Sequence, residues 1–467
     1  MKRSLKGVIW VVSGDAGARL IGFILTAYLA RILGPSNFGL VTIGLAVLAY
    51  LSQISGGGLQ ILETRNVALG GRLDRDRVGA VLALRFLLAV MLSAATGLVM
   101  AYVDLAEETR VVVWQSTLIL VPLALSLDWF FQGKERFGIL SISRILVASI
   151  YGGFVLITVT ESGDYSAAIL SLAVGTCAGT VLLLTAFRRE QGKIRVVIDT
   201  GVWKNVVRKS VPVTAALLVG QSAVNLGPIV LGSRFGNAEA GMFSAAMKII
   251  VVVLLLDRVL NSLFLPFISR IRSTRPDEFS SLVTLVFKGT FALVLPVVAC
   301  CSILAPWIVS AVFGEGYLEA VGHLRFLLLY VVLTLLNSVL MCSMIASGEE
   351  SRYSKLLLVG SLVLAVLVLL GAEVLGPAGA SLGVGLGELF MFILLLVTAE
   401  RVMRVNLYSV VFRYSLAGVA MIGTIVATAA WSVAAVIPAA ITVFLASLVL
   451  LRGTNLREFR TLWSKFV

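Results

Sequence analysis

Apolar residues run along this chain in long blocks, and the breaks between blocks are charged or rich in Gly and Pro. A helix needs about 20 mostly apolar residues to cross the hydrocarbon core of a bilayer. Blocks of that length predict helices over 8–30, 39–62, 78–102, 111–131, 137–159, 166–187, 210–232, 239–264, 283–312, 322–346, 356–374, 379–399, 411–431 and 433–451. The pattern is that of an all-α polytopic membrane protein with about 14 transmembrane helices.

The longest break, 189–209, is basic, with six predicted helices before it and six after it ahead of a final pair. It divides the chain into an N-terminal six-helix lobe (1–188), a cytoplasmic linker (189–209), a C-terminal six-helix lobe (210–399) and a remainder (400–467) with two additional helices and a tail. An even number of spans per half gives both halves one orientation, as in parallel repeats. A short internal match supports the repeat. Gly34-Pro-Ser-Asn-Phe-Gly39 joins spans 1 and 2, and Gly236-Asn-Ala-Glu-Ala-Gly241 joins spans 7 and 8, 202 residues later.

Composition removes the soluble alternatives. Hydrophobic residues make up 59% and charged residues 13% of the 467, and mean hydropathy is +1.02. No soluble protein of this size could hide that much apolar surface from water. The basic start resembles a signal peptide, but the run behind it holds Asp15 and Arg19 and continues to Leu33, so it reads as a retained first span.

The net charge of +13 raises nucleic acid as a partner, and its distribution dismisses it. Connections on the side of the N-terminus, both termini included, carry 27 of the 38 Lys and Arg residues. The opposite set carries only Arg31, Arg110 and Arg234, against carboxylates such as Asp104, Glu107, Glu108, Glu161, Asp164 and Glu315. By the positive-inside rule both termini are cytoplasmic, in the cell membrane.

No phosphate-binding loop, zinc-protease or nucleophile-elbow pattern occurs, and outside loops are short. An ATP-driven pump, a glycosyltransferase and a polysaccharide polymerase are disfavoured, and no enzyme activity or cofactor is expected. Cys177, Cys300, Cys301 and Cys342 lack ligand spacing, and a single histidine, His323, rules out a multi-histidine metal site.

Twelve ionisable residues fall inside the predicted spans, eight of them basic. Charges there are expensive and usually face a bundle interior or a wet cavity. Arg413, Arg258, Asp128 and Lys288 lie near span ends and can snorkel. Asp15 and Arg19 are four apart and share a helix face. Arg85, Arg144 and Lys248 lie deep in spans 3, 5 and 8 with no local carboxylate, and Glu388 lies in the middle of span 12. The basic excess points to an anion, and the planar Arg fork suits phosphate or pyrophosphate. Asn225, with Gln221, Asn261 and Asn337, adds hydrogen-bonding groups suited to sugars. Asp15 and Glu388 are the candidates for proton or ion coupling. Gly56-Gly57-Gly58 marks a kink, and Pro212, Pro228, Pro266 and Pro296 mark local breaks.

Residues 27–70, AYLARILGPSNFGLVTIGLAVLAYLSQISGGGLQILETRNVALG, resemble the opening of bacterial oligosaccharide flippases of polysaccharide biosynthesis, the Wzx type. Ala30, Arg31, Leu33, Gly34, Phe38 and Gly39 match that family's turn between spans 1 and 2, and Gly58-Leu59 and Arg65 match the segment after it. Residues 240–271 are similar to its G-x-[FY]-S-A-A-x-[KR] span. The resemblance implies the multidrug/oligosaccharidyl-lipid/polysaccharide exporter fold, with two six-helix lobes around a central cavity and two extra C-terminal helices. It implies an undecaprenyl-pyrophosphate-linked oligosaccharide as substrate, flipped to the outer leaflet for cell-surface polysaccharide such as O-antigen or exopolysaccharide. It also implies coupling to a proton or sodium gradient, membrane lipids as surroundings and polysaccharide polymerase or assembly proteins as partners. On this reading Arg19, Arg85, Arg144, Lys248 and Asn225 hold the substrate, and Asp15 or Glu388 releases it. A multidrug exporter of the same superfamily is the alternative, though organic cations would favour an acidic cavity.

Overall fold

A computed structural model describes residues 2–69, 75–403, 405–428 and 431–451, the side chains of 2–16 excepted. The described chain is helical and holds no strand. Its first elements are α1 (Lys2–Ser52), a π-turn (Gln53–Gly57), α2 (Gly58–Ala68), α3 (Arg75–Tyr102), α4 (Glu107–Thr117), α5 (Leu120–Leu125), α6 (Asp128–Gly133), α7 (Phe137–Thr158) and α8 (Tyr165–Gln191). There follow α9 (Thr200–Gly220), α10 (Ser222–Phe235), α11 (Asn237–Val253), α12 (Leu255–Thr274), α13 (Pro276–Phe313), α14 (Ala320–Ala346), α15 (Glu350–Met403), α16 (Tyr408–Ala427) and α17 (Val433–Leu450).

Eleven stretches among the described residues are long and apolar enough to cross a membrane, or twelve if α9 and α10, bent by 63°, form one span. The sequence predicts about fourteen, and the difference lies in two long elements. Gly17–Ala68 and Glu350–Met403 hold 52 and 54 residues, roughly 80 Å of helix at 1.5 Å per residue, against about 30 Å of hydrocarbon. Each is broken inside, at Gly34 (φ 72°) and at Gly376 (φ 68°), and in each a proline follows. The positive φ is open to glycine at little cost. The proline needs no N–H partner in the first turn of the helix it begins. The predicted pairs 8–30 with 39–62, and 356–374 with 379–399, fall on either side of these breaks.

The prolines behave differently from one another. At Gly56 and Gly57 the helix widens into one π-helical turn and continues with helical φ and ψ into α2 at Gly58, and the α9–α10 bend falls at Gln221 between Pro212 and Pro228. Pro266 and Pro296 lie inside α12 and α13, which continue through them.

The chain divides into compact units at 1–245 and 246–467, later than the linker at 189–209. The reason is local packing. In the first unit α1 packs on α7, α4 and α10, and α2 on α6 and α9. The Trp203 indole N–H reaches back 2.8 Å to the carbonyl of Ala80 on α3. Asp199 caps α9, accepting from the Val202 N–H at 2.9 Å. The first unit's core gathers Trp129, Phe130 and Phe131 around Phe187, with Phe130 and Phe187 centroids 4.8 Å apart, edge to face. Also in this unit the turns opened by Gly34 and Gly236 (φ 98°) meet backbone to backbone.

In the second unit α14 packs on α12, α13 and α15, and α16 and α17 pack on each other and on α13. Phe291 stacks on Tyr414 at 5.3 Å. Leu293, Trp307, Val419 and other large apolar residues stay exposed, as surfaces bathed by lipid do.

Candidate functional site

The in-span charges separate into different settings. Arg85, on α3, is 1% exposed. Its guanidinium donates to the carbonyls of Ser126 at 3.0 Å and Leu123 at 2.7 Å, where the chain breaks between α5 and α6. The Ser126 N–H already donates to the Leu123 carbonyl at 3.3 Å, and the Arg fork adds a charge-assisted bond to it and one to the Ser126 carbonyl. The Ser126 hydroxyl donates to the Asp128 carboxylate at the same break. Gly56 of the π-turn lies over the guanidinium, and a Cβ there would meet Nη2 at 3.0 Å. Arg85 is thus a buried tie between α3, the π-turn and the broken fourth span. Two main-chain acceptors hold the fork of this residue, expected from the sequence to hold substrate, and its side chain has almost no accessible surface.

Arg144 stands exposed on α7, and Arg19 is half-buried on α1. Asp15 falls among the side chains outside the described residues. Asn225, half-buried on α10, donates to the Gln221 side-chain oxygen at 2.6 Å, beside the 63° bend. Lys248, half-buried on α11, has no ion-pair partner among the described residues.

Glu388 belongs to a polar network inside the second unit. It is half-buried on α15 and accepts the Asn337 side-chain N–H from α14 at 2.7 Å. The next residue, Ser338, donates its hydroxyl to Asp257 on α12. Asp257 also accepts from Asn261 at 3.0 Å, and the Cys342 thiol donates to the Asn261 carbonyl oxygen at 3.2 Å. The Asn337 side-chain oxygen is buried without a partner among the described residues. An unmet buried acceptor costs about 1–3 kcal/mol. Three helices thus bring two carboxylates close together in two hydrogen-bonded groups, Asn337 with Glu388 and the adjacent Ser338 with Asp257 and Asn261.

Sequence reasoning missed Asp257 as a site residue. Its signal was available, since Asp257 and Asn261 are four apart as Asp15 and Arg19 are. What linked it to α14 was invisible, because Ser338 lies 81 residues away. His323, near the start of α14, is buried and bonded at 2.7 Å to Ser381 of α15, a link between neighbouring helices.

Long kinked helices, a broken span and charged networks inside apolar bundles define a polytopic membrane transporter. The sequence pattern of the family described as "Polysaccharide biosynthesis protein" matches residues 4–272, and the chain belongs to that family. A protein of Escherichia coli (strain K12), provisionally named an O-antigen transporter, is 25% identical over 382 residues, 78% of this chain and 88% of that protein. The stage V sporulation protein B of Bacillus subtilis (strain 168) is 22% identical over 268 residues, 52% of each chain. Among solved structures, the lipid II flippase MurJ in its inward closed conformation matches 95% of this chain and 99% of its own, with TM-score 0.71 at 13% identity. An inward-facing multidrug resistance transporter of the MATE family matches 83% and 94%, with TM-score 0.65 at 14% identity. Both likenesses are of fold.

Proposed function

We propose that this chain is a flippase. It moves undecaprenyl-pyrophosphate-linked oligosaccharide repeat units from the cytoplasmic to the outer leaflet, for assembly of cell-surface polysaccharide. The observation that carries the reading is membership of the polysaccharide biosynthesis family over residues 4–272. The O-antigen transporter relative and the flippase-like fold support it. Transport of this kind makes and breaks no covalent bond. Both termini are cytoplasmic on this reading, and polymerase or assembly proteins take the product.

Alternating access needs groups whose affinity for substrate differs between states. Arg19, Arg144 and Lys248 attract the pyrophosphate and any acidic sugars, and Asn225 offers hydrogen bonds at the bend between α9 and α10. Arg85 acts indirectly, by holding the broken fourth span. Glu388, with Asp257 nearby, takes the coupling proton or sodium ion, and Asp15 is the second coupling candidate through its four-residue spacing from Arg19 in the sequence. The test is complementation of a strain lacking its lipid-linked oligosaccharide flippase. The natural chain restores surface polysaccharide, and the double variant Arg19→Gln/Lys248→Gln abolishes it at unchanged protein level. Full restoration by the double variant would remove the cationic site from the mechanism.

A further inference from the structure

Three consecutive glycines in the first unit each face a different neighbour. Gly56 lies over the Arg85 guanidinium of α3, where a Cβ would meet Nη2 at 3.0 Å. At Gly57 the carboxamide oxygen of Gln53 takes the place of a side chain, and the Leu217 side chain of α9 borders the same point at 3.0 Å. At Gly58 a Cβ would stand 2.6 Å from the Ser210 carbonyl oxygen of α9. The missing side chains set the π-turn and α2 directly on α9. They also leave room beside Leu217 for the Gln53 carboxamide.

Both segments are irregular at this level. Gln53 opens the π-turn of one, and Gln221 stands at the 63° bend of the other. Gln53 is 14 residues from Gly39 and Gln221 is 16 from Asn237, the pair that touches at the far end of the same two segments. At 1.5 Å per residue both irregularities lie roughly 20 Å from that contact, inside a hydrocarbon core about 30 Å thick. Between the two levels Tyr50 of α1 meets Ser222 of α10, side chain to side chain. Transporters build substrate sites where spans lose regular helix at membrane depth, and π-turns gather at functional sites.

The side chains at this level are neutral and incompletely bonded. Gln53, half-buried, makes no side-chain hydrogen bond among the described residues. Asn225 donates to the Gln221 side-chain oxygen at 2.6 Å. That bond leaves the Gln221 amide N–H groups and the Asn225 oxygen without a partner among the described residues. A carboxamide both donates and accepts, as sugar hydroxyl and acetamido groups do, whereas an ionised diphosphate only accepts. Cations suit the diphosphate, and this neutral set suits a sugar. Resting on the flippase reading, we propose that Gln53 and Gln221 bind the sugar next to the diphosphate and set which glycan is carried. Arg85, under Gly56, is a positioning residue for the turn that carries Gln53.

The test measures binding of three lipids to the purified full chain: bare undecaprenyl diphosphate, and the same lipid carrying N-acetylglucosamine or N-acetylgalactosamine. The natural chain should bind at least one sugar-bearing lipid roughly tenfold more tightly than the bare one, the ratio given by about 1.4 kcal/mol. Gln53→Met and Gln221→Met keep the side-chain length without a branch, and each should cut that ratio to about twofold or less. Gln132→Met, exposed on α6, should keep it. The ratio is the readout because a merely structural defect weakens all three lipids alike. Thermal unfolding checks each variant, and Gln53→Ser replaces a methionine variant that fails to fold, with the same expectation. No sugar preference in the natural chain, or a full ratio in either methionine variant, would overturn the proposal. Complementation by the natural chain is scored separately. Success there without a sugar preference rejects the sugar site and keeps the flippase, whereas failure there rejects the transport reading and the site with it.

Discussion

Gly39 lies directly against the backbone carbonyl of Asn237, and Gly241 lies in the same way against that of Pro35. Each residue of one contact stands 202 positions from its counterpart in the other, so the contact is reciprocal, as when two copies of one surface meet about a two-fold axis. A side chain at either glycine would strike main chain, which cannot swing aside as a flexible side chain can.

Gly39→Ala and Gly241→Ala should therefore each destabilise the protein, by about 1–3 kcal/mol or more as overpacking does. The two losses should be similar in size. Gly22→Ala, where nothing lies within 4 Å of the added carbon, should be neutral or gain up to about 1 kcal/mol from helix propensity. Thermal unfolding of detergent-purified protein separates the three, and a tolerated alanine at either contact glycine would contradict the reciprocal packing.

Arg85 should behave as a structural residue. Arg85→Gln takes the Arg donor from the Ser126 carbonyl and leaves the Leu123 carbonyl with the Ser126 N–H alone, a loss of about 1–3 kcal/mol for the unmet group. Arg85→Lys should not rescue it, because a point charge does not reproduce the fork. Arg144→Gln, on an exposed position, should change stability by less than about 0.5 kcal/mol. A transport defect in Arg144→Gln at normal stability marks substrate contact, and normal stability in Arg85→Gln would refute the tie.

The Asn337–Glu388 and Ser338–Asp257 links make a prediction about coupling. In Glu388→Gln the Asn337 N–H still finds an oxygen acceptor, so folding should change by no more than about 1 kcal/mol. Translocation in vesicles should lose its response to an imposed pH or sodium gradient, and Asp257→Asn should weaken the same response. A full response in both variants would exclude this network from coupling.

Asp164, in the turn between α7 and α8, accepts from the Thr160 and Glu161 N–H groups at 2.9 and 3.0 Å. Those bonds hold its carboxyl below the ordinary carboxylate value. A depressed folded value means the stabilisation is present above the unfolded value and fades as pH falls through the folded one. Protection of the Thr160 and Glu161 amides, as exchange relative to the intrinsic rate at each pH, should be high at neutral pH and lower in acid or in Asp164→Ala. The Asn37 side chain donates to the Ser162 carbonyl at 2.7 Å, so the same loss should loosen the turn after Gly34. Unchanged exchange in Asp164→Ala would dismiss the cap.

The long apolar runs were legible because a bilayer asks only for length and hydropathy, both local properties. Gly34-Pro35 and Gly376-Pro377 marked their breaks for an equally local reason, the φ each residue can adopt. The site was legible only in part. Glu388 stood out as a carboxylate in an apolar run, but Asp257 sat beside Arg258 and gave no sign of its bonds to α14. Arg85 looked like a free cation because its partners are backbone carbonyls, which every residue has and no sequence pattern singles out.

The membrane class, the approximate spans, the repeat interval and the excess of in-span cations were all legible in the order of residues. These follow from composition and from neighbours a few positions apart. Long-range contacts alone spend Arg85 on main-chain acceptors, bond Glu388 and Asp257 to adjacent residues of α14, and bring the two glycine turns together. Each of those depends on a hydrogen bond or a van der Waals contact between residues about 40 to 200 positions apart, which helix packing alone brings within reach.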